Sequence, residues 1–109
     1  MPIKPQPVLA IVVPCLDEEL ALPETSRALS AKLESLAERG LIDPNSLIYF
    51  VDDGSTDGTW AFISQLVESS PVFRGIKLAR NYGHQYALYA GLMHAEGDVL
   101  VSIDADMQD

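Results

Sequence analysis

The chain is 109 residues long, enough for a single hydrophobic core and no more than one domain. Apolar residues supply 48% of it and charged residues 21%, the balance of a folded globular protein rather than a disordered one. Its 16 acidic and 7 basic residues give a formal net charge of −9, which argues against a nucleic-acid partner and against an anionic membrane surface, both of which demand a basic face.

A single cysteine, Cys15, excludes an internal disulfide and a Cys-rich zinc site, and at an apolar strand end it reads as a small core residue. No stretch approaches the roughly 20 apolar residues of a membrane-spanning helix. Residues 1–7, Met1-Pro2-Ile3-Lys4-Pro5-Gln6-Pro7, lack the apolar run of a signal peptide and predict a short extended lead-in. Residues 8–109 are then one folded unit, expected in the cytoplasm.

The first element is Val8-Leu9-Ala10-Ile11-Val12-Val13, a continuous β-branched run suited to a strand buried on both faces. Leu22, Leu29, Leu33 and Leu36 then mark one face of a helix. Pro23 fits its first turn, Glu24 the positive end of its dipole, Gly40 its stop and Asp43-Pro44-Asn45 the return turn. Leu47 to Val51 is the second strand. A turn from Gly54 to Gly58 opens a second helix with Trp60, Ile63 and Val67 on one face. Phe73 to Leu78 is a weaker third strand. The third helix, about Gly83 to Ala95, is apolar nearly all round, and Ala87, Ala90, Gly91 and Ala95 are small enough to let it lie close against a sheet. Val99 to Ile103 is the fourth strand. The order βαβαβαβ predicts a doubly wound α/β fold with a mainly parallel sheet and right-handed crossovers.

Parallel strands deliver their carboxyl ends to one edge, where ligands bind in such sheets. That edge receives Pro14 to Glu19, then Asp52 to Gly58, then Ala79 to His84, and finally Asp104-Ala105-Asp106. Acidic side chains therefore arrive from three of the four strands. Crowded carboxylates raise one another's pKa unless a positive charge intervenes, and a hard divalent cation with oxygen ligands supplies it. Taken alone, Asp104 and Asp106 read equally as an exposed polar strand end. Ser55 to Asp57 fit a helix cap, whereas Asp52 and Asp53 directly follow the strand and are expected to face a ligand. A calcium-loop reading fails because the closing Glu is missing, and no Gly-x-Gly-x-x-Gly or Walker pattern occurs. His84 and His94 lack zinc-ligand spacing, and His94 reads as packing or capping a helix end. Arg80 reads equally as a phosphate contact or as the partner of a local acid.

Together these stretches resemble the nucleotide-sugar half of family 2 glycosyltransferases of GT-A fold, nearest to the polyprenol- and dolichol-phosphate sugar transferases. The resemblance is carried by Val12 to Glu19, Val51 to Thr59, Leu78 to Gln85 and Asp104 to Asp109, in the family's order. It implies that Pro14, Leu16 and Glu18 line the base and ribose pocket, with Val51 and Asp53 also on the nucleotide. It further implies that Asp104, Ala105 and Asp106 meet the nucleotide sugar, and that Asp104, Asp106 and Gln108 hold Mg²⁺ or Mn²⁺ against the diphosphate. The implied reaction is inverting transfer from a UDP- or GDP-linked sugar to a lipid phosphate. Asp17 departs from the pattern, which carries Asn there. Asn donates and accepts while ionised Asp only accepts, so the turn at this position is left open.

The family's acceptor site, catalytic base and membrane-associated helices follow the Asp-x-Asp element. The resemblance therefore implies a donor-binding N-terminal piece, inactive alone, of a protein working at the cytoplasmic face of a membrane. Two other readings stand beside it. One is a receiver-like regulatory module whose acidic cluster binds Mg²⁺, disfavoured because Lys77 lies inside a strand. The other is an inactive fragment that self-associates as a homo-oligomer through an exposed strand edge.

Overall fold

A computed structural model describes residues 5–106. Four strands, β1 (Leu9–Cys15), β2 (Leu47–Asp52), β3 (Phe73–Lys77) and β4 (Val99–Ser102), alternate with α1 (Leu22–Glu38), α2 (Thr59–Ser69) and α3 (His84–His94). All pairings are parallel and the strand order is β3-β2-β1-β4. The chain thus builds outward from β1 in one direction, through β2 and β3, and then returns to place β4 on the other side of β1. That reversal makes the β1/β4 boundary a topological switch point, the position where open α/β sheets leave a crevice. The same order disposes of the receiver-like reading, since that fold runs 2-1-3-4-5.

Alternation along the strands sorts the core into two layers. Ile11, Val13, Ile48 and Phe50 face α1 and α2, meeting Leu22, Leu29, Leu33 and Ile63. Ala10, Val12, Tyr49 and Val51 face α3, meeting Ala87 with Leu88 and Leu92 beside it. Strands buried on both faces need no polar alternation, which is why β1 and β2 read as unbroken apolar runs. Fully burying a side chain such as Phe50 or Ile63 contributes about 1.5–3 kcal/mol each.

The helices differ from expectation in detail. In α1, Leu22, Leu29 and Leu33 are buried as the spacing predicts, with Pro23 in the first turn. Gly40, at φ 72°, ends it: the Gly40 and Leu41 N–H groups donate back to Ala37 and Leu36 carbonyls at 3.0 Å each. In α2 the inward stripe runs through Thr59, Ile63 and Leu66, and Val67 points to solvent. Thr59 is buried in its first turn, and Trp60 and Ile63 of the expected stripe pack on the core as well, so only Val67 departs from it. In α3 only one side is covered. Ala87 and Gly91 are buried on the sheet, while Tyr86, Tyr89 and Met93 are exposed.

β4 is the edge next to β1, and Val99, Leu100 and Val101 remain 45%, 41% and 38% exposed. No helix among the described residues is long and apolar enough to cross a membrane.

The close approach of α3 has a direct test. A Cβ at Gly91 would collide with Val12 Cγ1 and lie 2.8 Å from Val51 Cγ2. Gly91→Ala should destabilise the protein by about 1–3 kcal/mol despite the better helix propensity of Ala. Denaturant melts read this directly, and a stabilised variant would contradict the packing.

Candidate functional site

After β1 the chain turns through Leu16 to Ala21 before α1. Asp17 holds this turn at φ 52°, a left-handed conformation that Asp and Asn tolerate better than other side chains. The Asp17 N–H donates to Ser55 Oγ at 2.9 Å, and Asp17 Oδ1 accepts the Thr56 N–H at 2.8 Å. The Asp17 side chain therefore acts only as an acceptor here, so a carboxylate meets every need of the turn that Asn would fill. Next to it the Glu18 N–H donates to Thr59 Oγ1 at 2.9 Å, whose own hydroxyl donates to Asp57 Oδ1. That hydroxyl bond, with the amide bonds of Thr59 and Glu19, holds the Asp57 carboxyl below its usual value. Glu19 Oε1 accepts the Gly58 N–H at 3.1 Å. The α2 N-terminus is thus served by Asp57 and Glu19, while Ser55, expected as a cap, serves the β1 turn.

At the end of β2, Asp52 and Asp53 part company. Asp52 continues the Ile48/Phe50 side of the strand and is fully buried, with Oδ1 accepting the Ser55 N–H at 3.1 Å. It sits beneath the turn, so the expectation that it faces a ligand is corrected. Asp53, 2% exposed, turns toward the other side. Its Oδ1 accepts the Tyr82 N–H at 2.8 Å and its Oδ2 the Gly83 N–H at 3.1 Å. Its own N–H donates to the Cys15 carbonyl at 2.8 Å, tying β1 to β2 beyond the ladder.

These loops enclose a cleft of about 440 Å³ at the carboxyl edge. β1 supplies Pro14, Cys15, Leu16 and Glu18; β2 supplies Asp53; the segment after β4 supplies Asp104, Ala105 and Asp106. Gly83, His84 and Ala87 of the β3–α3 junction close the remaining wall. Ala105 is buried, and its carbonyl accepts a hydrogen bond from the Thr25 hydroxyl of α1, which fixes the 104–106 segment against that helix. Burial, followed by Asp106, Asp57, Asp104 and Asp17, pushes the Glu18 pKa up. The Cys15 thiol is raised well above its ordinary value by burial, then Glu18, then Asp52, and stays an unreactive core group.

Seven of the eight residues expected on the nucleotide sugar therefore meet in one cleft. Val51 does not line it: its side chain is fully buried between the sheet and α3, because it lies on the α3-facing side of β2. Gln108 lies outside the described residues. Arg80 stacks over the Tyr82 ring at 4.7 Å, and among the described residues no acid pairs with it. His94 Nδ1 lies 2.8 Å from the Ala90 carbonyl, at the end of α3 as expected. The sequence placed His84 at this edge, with the rest of Ala79 to His84, without a role of its own. Its signal was present in its position, first in a helix that follows a strand end.

Among the described residues no three His, Cys, Asp or Glu side chains converge closely enough to enclose a metal ion. Asp104 and Asp106 nevertheless offer hard oxygen donors, and their charge already reaches Glu18. This donor set fits a divalent cation that keeps waters and borrows substrate oxygens, the usual habit of Mg²⁺. It does not fit zinc.

Residues 10–109 match the model of the family described as glycosyl transferase family 2. The uncharacterized glycosyltransferase YkoT of Bacillus subtilis is 51% identical over 106 residues, covering 95% of this chain and 32% of that protein. A bactoprenol glucosyl transferase of Shigella phage SfV is 36% identical over 102 residues, covering 93% and 31%. Among solved structures, the mannosyltransferase PcManGT of Pyrobaculum calidifontis, in complex with GDP-Man and Mn²⁺, superposes with a TM-score of 0.71 at 27% identity, covering 93% of this chain and 28% of that one. The fold is thus part of a GT-A glycosyltransferase fold. The chain spans about a third of the length of the curated relatives it matches.

The raised Glu18 pKa carries a signed expectation. A carboxyl whose pKa is higher in the fold than in the unfolded chain costs stability once pH rises through that window. Glu18→Gln should therefore melt at a higher temperature than the wild type at pH 7, with the gap closing below the ordinary Glu value of about 4.3. Thermal melts at both ends of that range decide it, and an unchanged Tm at pH 7 would show that carboxylate crowding does not shape the cleft.

Proposed function

The chain belongs to glycosyl transferase family 2, and from that premise we propose that its cleft binds the nucleoside diphosphate and divalent cation of a nucleotide-sugar donor. The observation that carries this reading is the meeting of Glu18, Asp53, Asp104 and Asp106 from three strand ends at the β1/β4 switch point. Pro14, Leu16 and Glu18 form the wall for base and ribose. Asp104 and Asp106, with Gln108, are the metal ligands, and the Ala105 stretch between them presents main chain to the diphosphate. Bound there, Mg²⁺ or Mn²⁺ would neutralise charge developing on the leaving nucleoside diphosphate. The chain's own part is to orient the donor and to fix the two carboxylates, which the Thr25–Ala105 hydrogen bond accomplishes.

The proposed reaction of the longer protein is inverting transfer to a polyprenyl phosphate at the cytoplasmic face of a membrane. The bactoprenol glucosyl transferase among the relatives supports that acceptor class, and the GDP-Man and Mn²⁺ of the mannosyltransferase support the donor and metal class. Relatives extend well beyond the aligned region, so the acceptor site and catalytic base belong to sequence outside these 109 residues. The 109-residue chain is proposed to bind donor without turning it over.

Calorimetry with GDP or UDP should show binding that strengthens on adding Mn²⁺. Asp104→Ala combined with Asp106→Ala should remove that metal-dependent gain, about tenfold or about 1.4 kcal/mol. Nucleotide binding that ignores both metal and the two substitutions would overturn the assignment.

A second reading concerns assembly. The exposed apolar side chains of β4 favour self-association along that edge. Light scattering should then report a mass that rises with concentration, and a monomer across the range would rule it out.

A further inference from the structure

Asp53 is a cleft carboxylate with both oxygens engaged. Each of its oxygens accepts one of two successive main-chain amides, Tyr82 at 2.8 Å and Gly83 at 3.1 Å, the Gly83 N–H being shared with Asn81 Oδ1 at 3.0 Å. Charge-assisted bonds of this kind are the stronger class, and burial makes losing either partner costly. The neighbouring residue reinforces the contact. Gly54 sits at φ 75°, and a Cβ there would collide with the Asn81 N and the Arg80 carbonyl carbon. Only a bare backbone lets the β3–α3 loop come this close, and the Asp53 carboxylate then grips it. Gly83, at φ 104°, turns the chain directly into α3, so the grip sets where the helix begins.

The first residue of that helix is His84, which lines the cleft. Every other ionisable side chain described along the wall, apart from the buried Cys15 thiol, is a carboxylate: Glu18, Asp53, Asp104 and Asp106. His84 is the one described side chain in the lining with a strong N–H donor for a phosphate or ribose oxygen.

We propose that Asp53 is a positioning residue that sets His84, through the Tyr82 and Gly83 amides, to contact the nucleoside diphosphate. This rests on the donor-binding reading above and gives Asp53 a positioning task in addition to its own place in the cleft lining. An acceptor-only group suits two converging N–H donors, whereas the isosteric Asn would turn its own NH₂ against one of them.

The test has two arms, both on the 109-residue chain. In amide hydrogen exchange without ligand, the Tyr82 and Gly83 amides should be slow in the wild type; in Asp53→Asn the Tyr82 amide should be at least about tenfold faster, with a smaller change at Gly83, whose N–H also reaches Asn81 Oδ1. In calorimetry with GDP and Mn²⁺, Asp53→Asn and His84→Ala should each weaken binding by about tenfold, and the double variant should be no weaker than the worse single one. His84 is exposed, so His84→Ala preserves the fold, and His84→Gln, which keeps a donor, should recover most of the affinity. Multiplying effects in the double variant, or a His84→Ala protein that binds like wild type, would overturn the proposal. So would fast exchange at both amides in the wild type. No GDP binding by a wild-type chain with slow exchange there would overturn the donor reading and the His84 contact but leave the clamp standing.

Discussion

Carboxylates holding main-chain amides are the interaction on which the carboxyl edge of this protein depends. Asp17 accepts from Thr56, Asp52 from Ser55, Asp53 from Tyr82 and Gly83, Asp57 from Thr59 and Glu19, and Glu19 from Gly58. Loops that lack ladder hydrogen bonds must satisfy their N–H groups some other way, and ionised acceptors do so more strongly than neutral ones. The acidic excess of the chain is therefore neither a mere aid to solubility nor wholly a metal trap. Much of it is spent joining the β1, β2 and β3 loops into one rim, leaving Glu18, Asp104 and Asp106 to give the cleft its negative character.

Below the rim, topology does the rest. Because β1 is paired on both sides, its carboxyl end is flanked by the ends of β2 and β4, and residues 14–18, 53 and 104–106 become neighbours. The two faces of the sheet contribute differently. The α1/α2 side holds most of the apolar core, whereas the α3 side is thin and depends on Ala87 and Gly91 for close contact. His84 reaches the cleft from that thin side.

The sequence displayed the strands and the acidic strand ends clearly, since unbroken β-branched runs and the residues after them carry their own signal. It showed the cleft's composition well enough to place Pro14, Leu16, Glu18, Asp53 and Asp104 to Asp106 together. What it hid was orientation. A shift of one residue sends a strand side chain to the opposite face, and this is why Val51 and Asp52, though adjacent to Asp53, lie in two different buried layers. The α2 stripe held at Trp60 and Ile63 and missed at Val67, because Leu66, one residue earlier, takes the inward position. His84 was legible as a residue of the ligand edge but not in its proposed role, which depends on Gly54 and Asp53, residues far from it in sequence whose contact with its loop has no periodic signature.

The pairing of β4 with β1 also imposes an order of events. The Val8 N–H and the Asp98 carboxylate that meet at its start are 90 residues apart in sequence, so closing that contact is the most expensive loop in the fold. β1, β2 and β3 can assemble with α1 and α2 before β4 exists, burying most of the larger apolar layer. The Asp104–Asp106 wall forms only when β4 docks. During synthesis, then, the chain can bury a core before its cleft is complete.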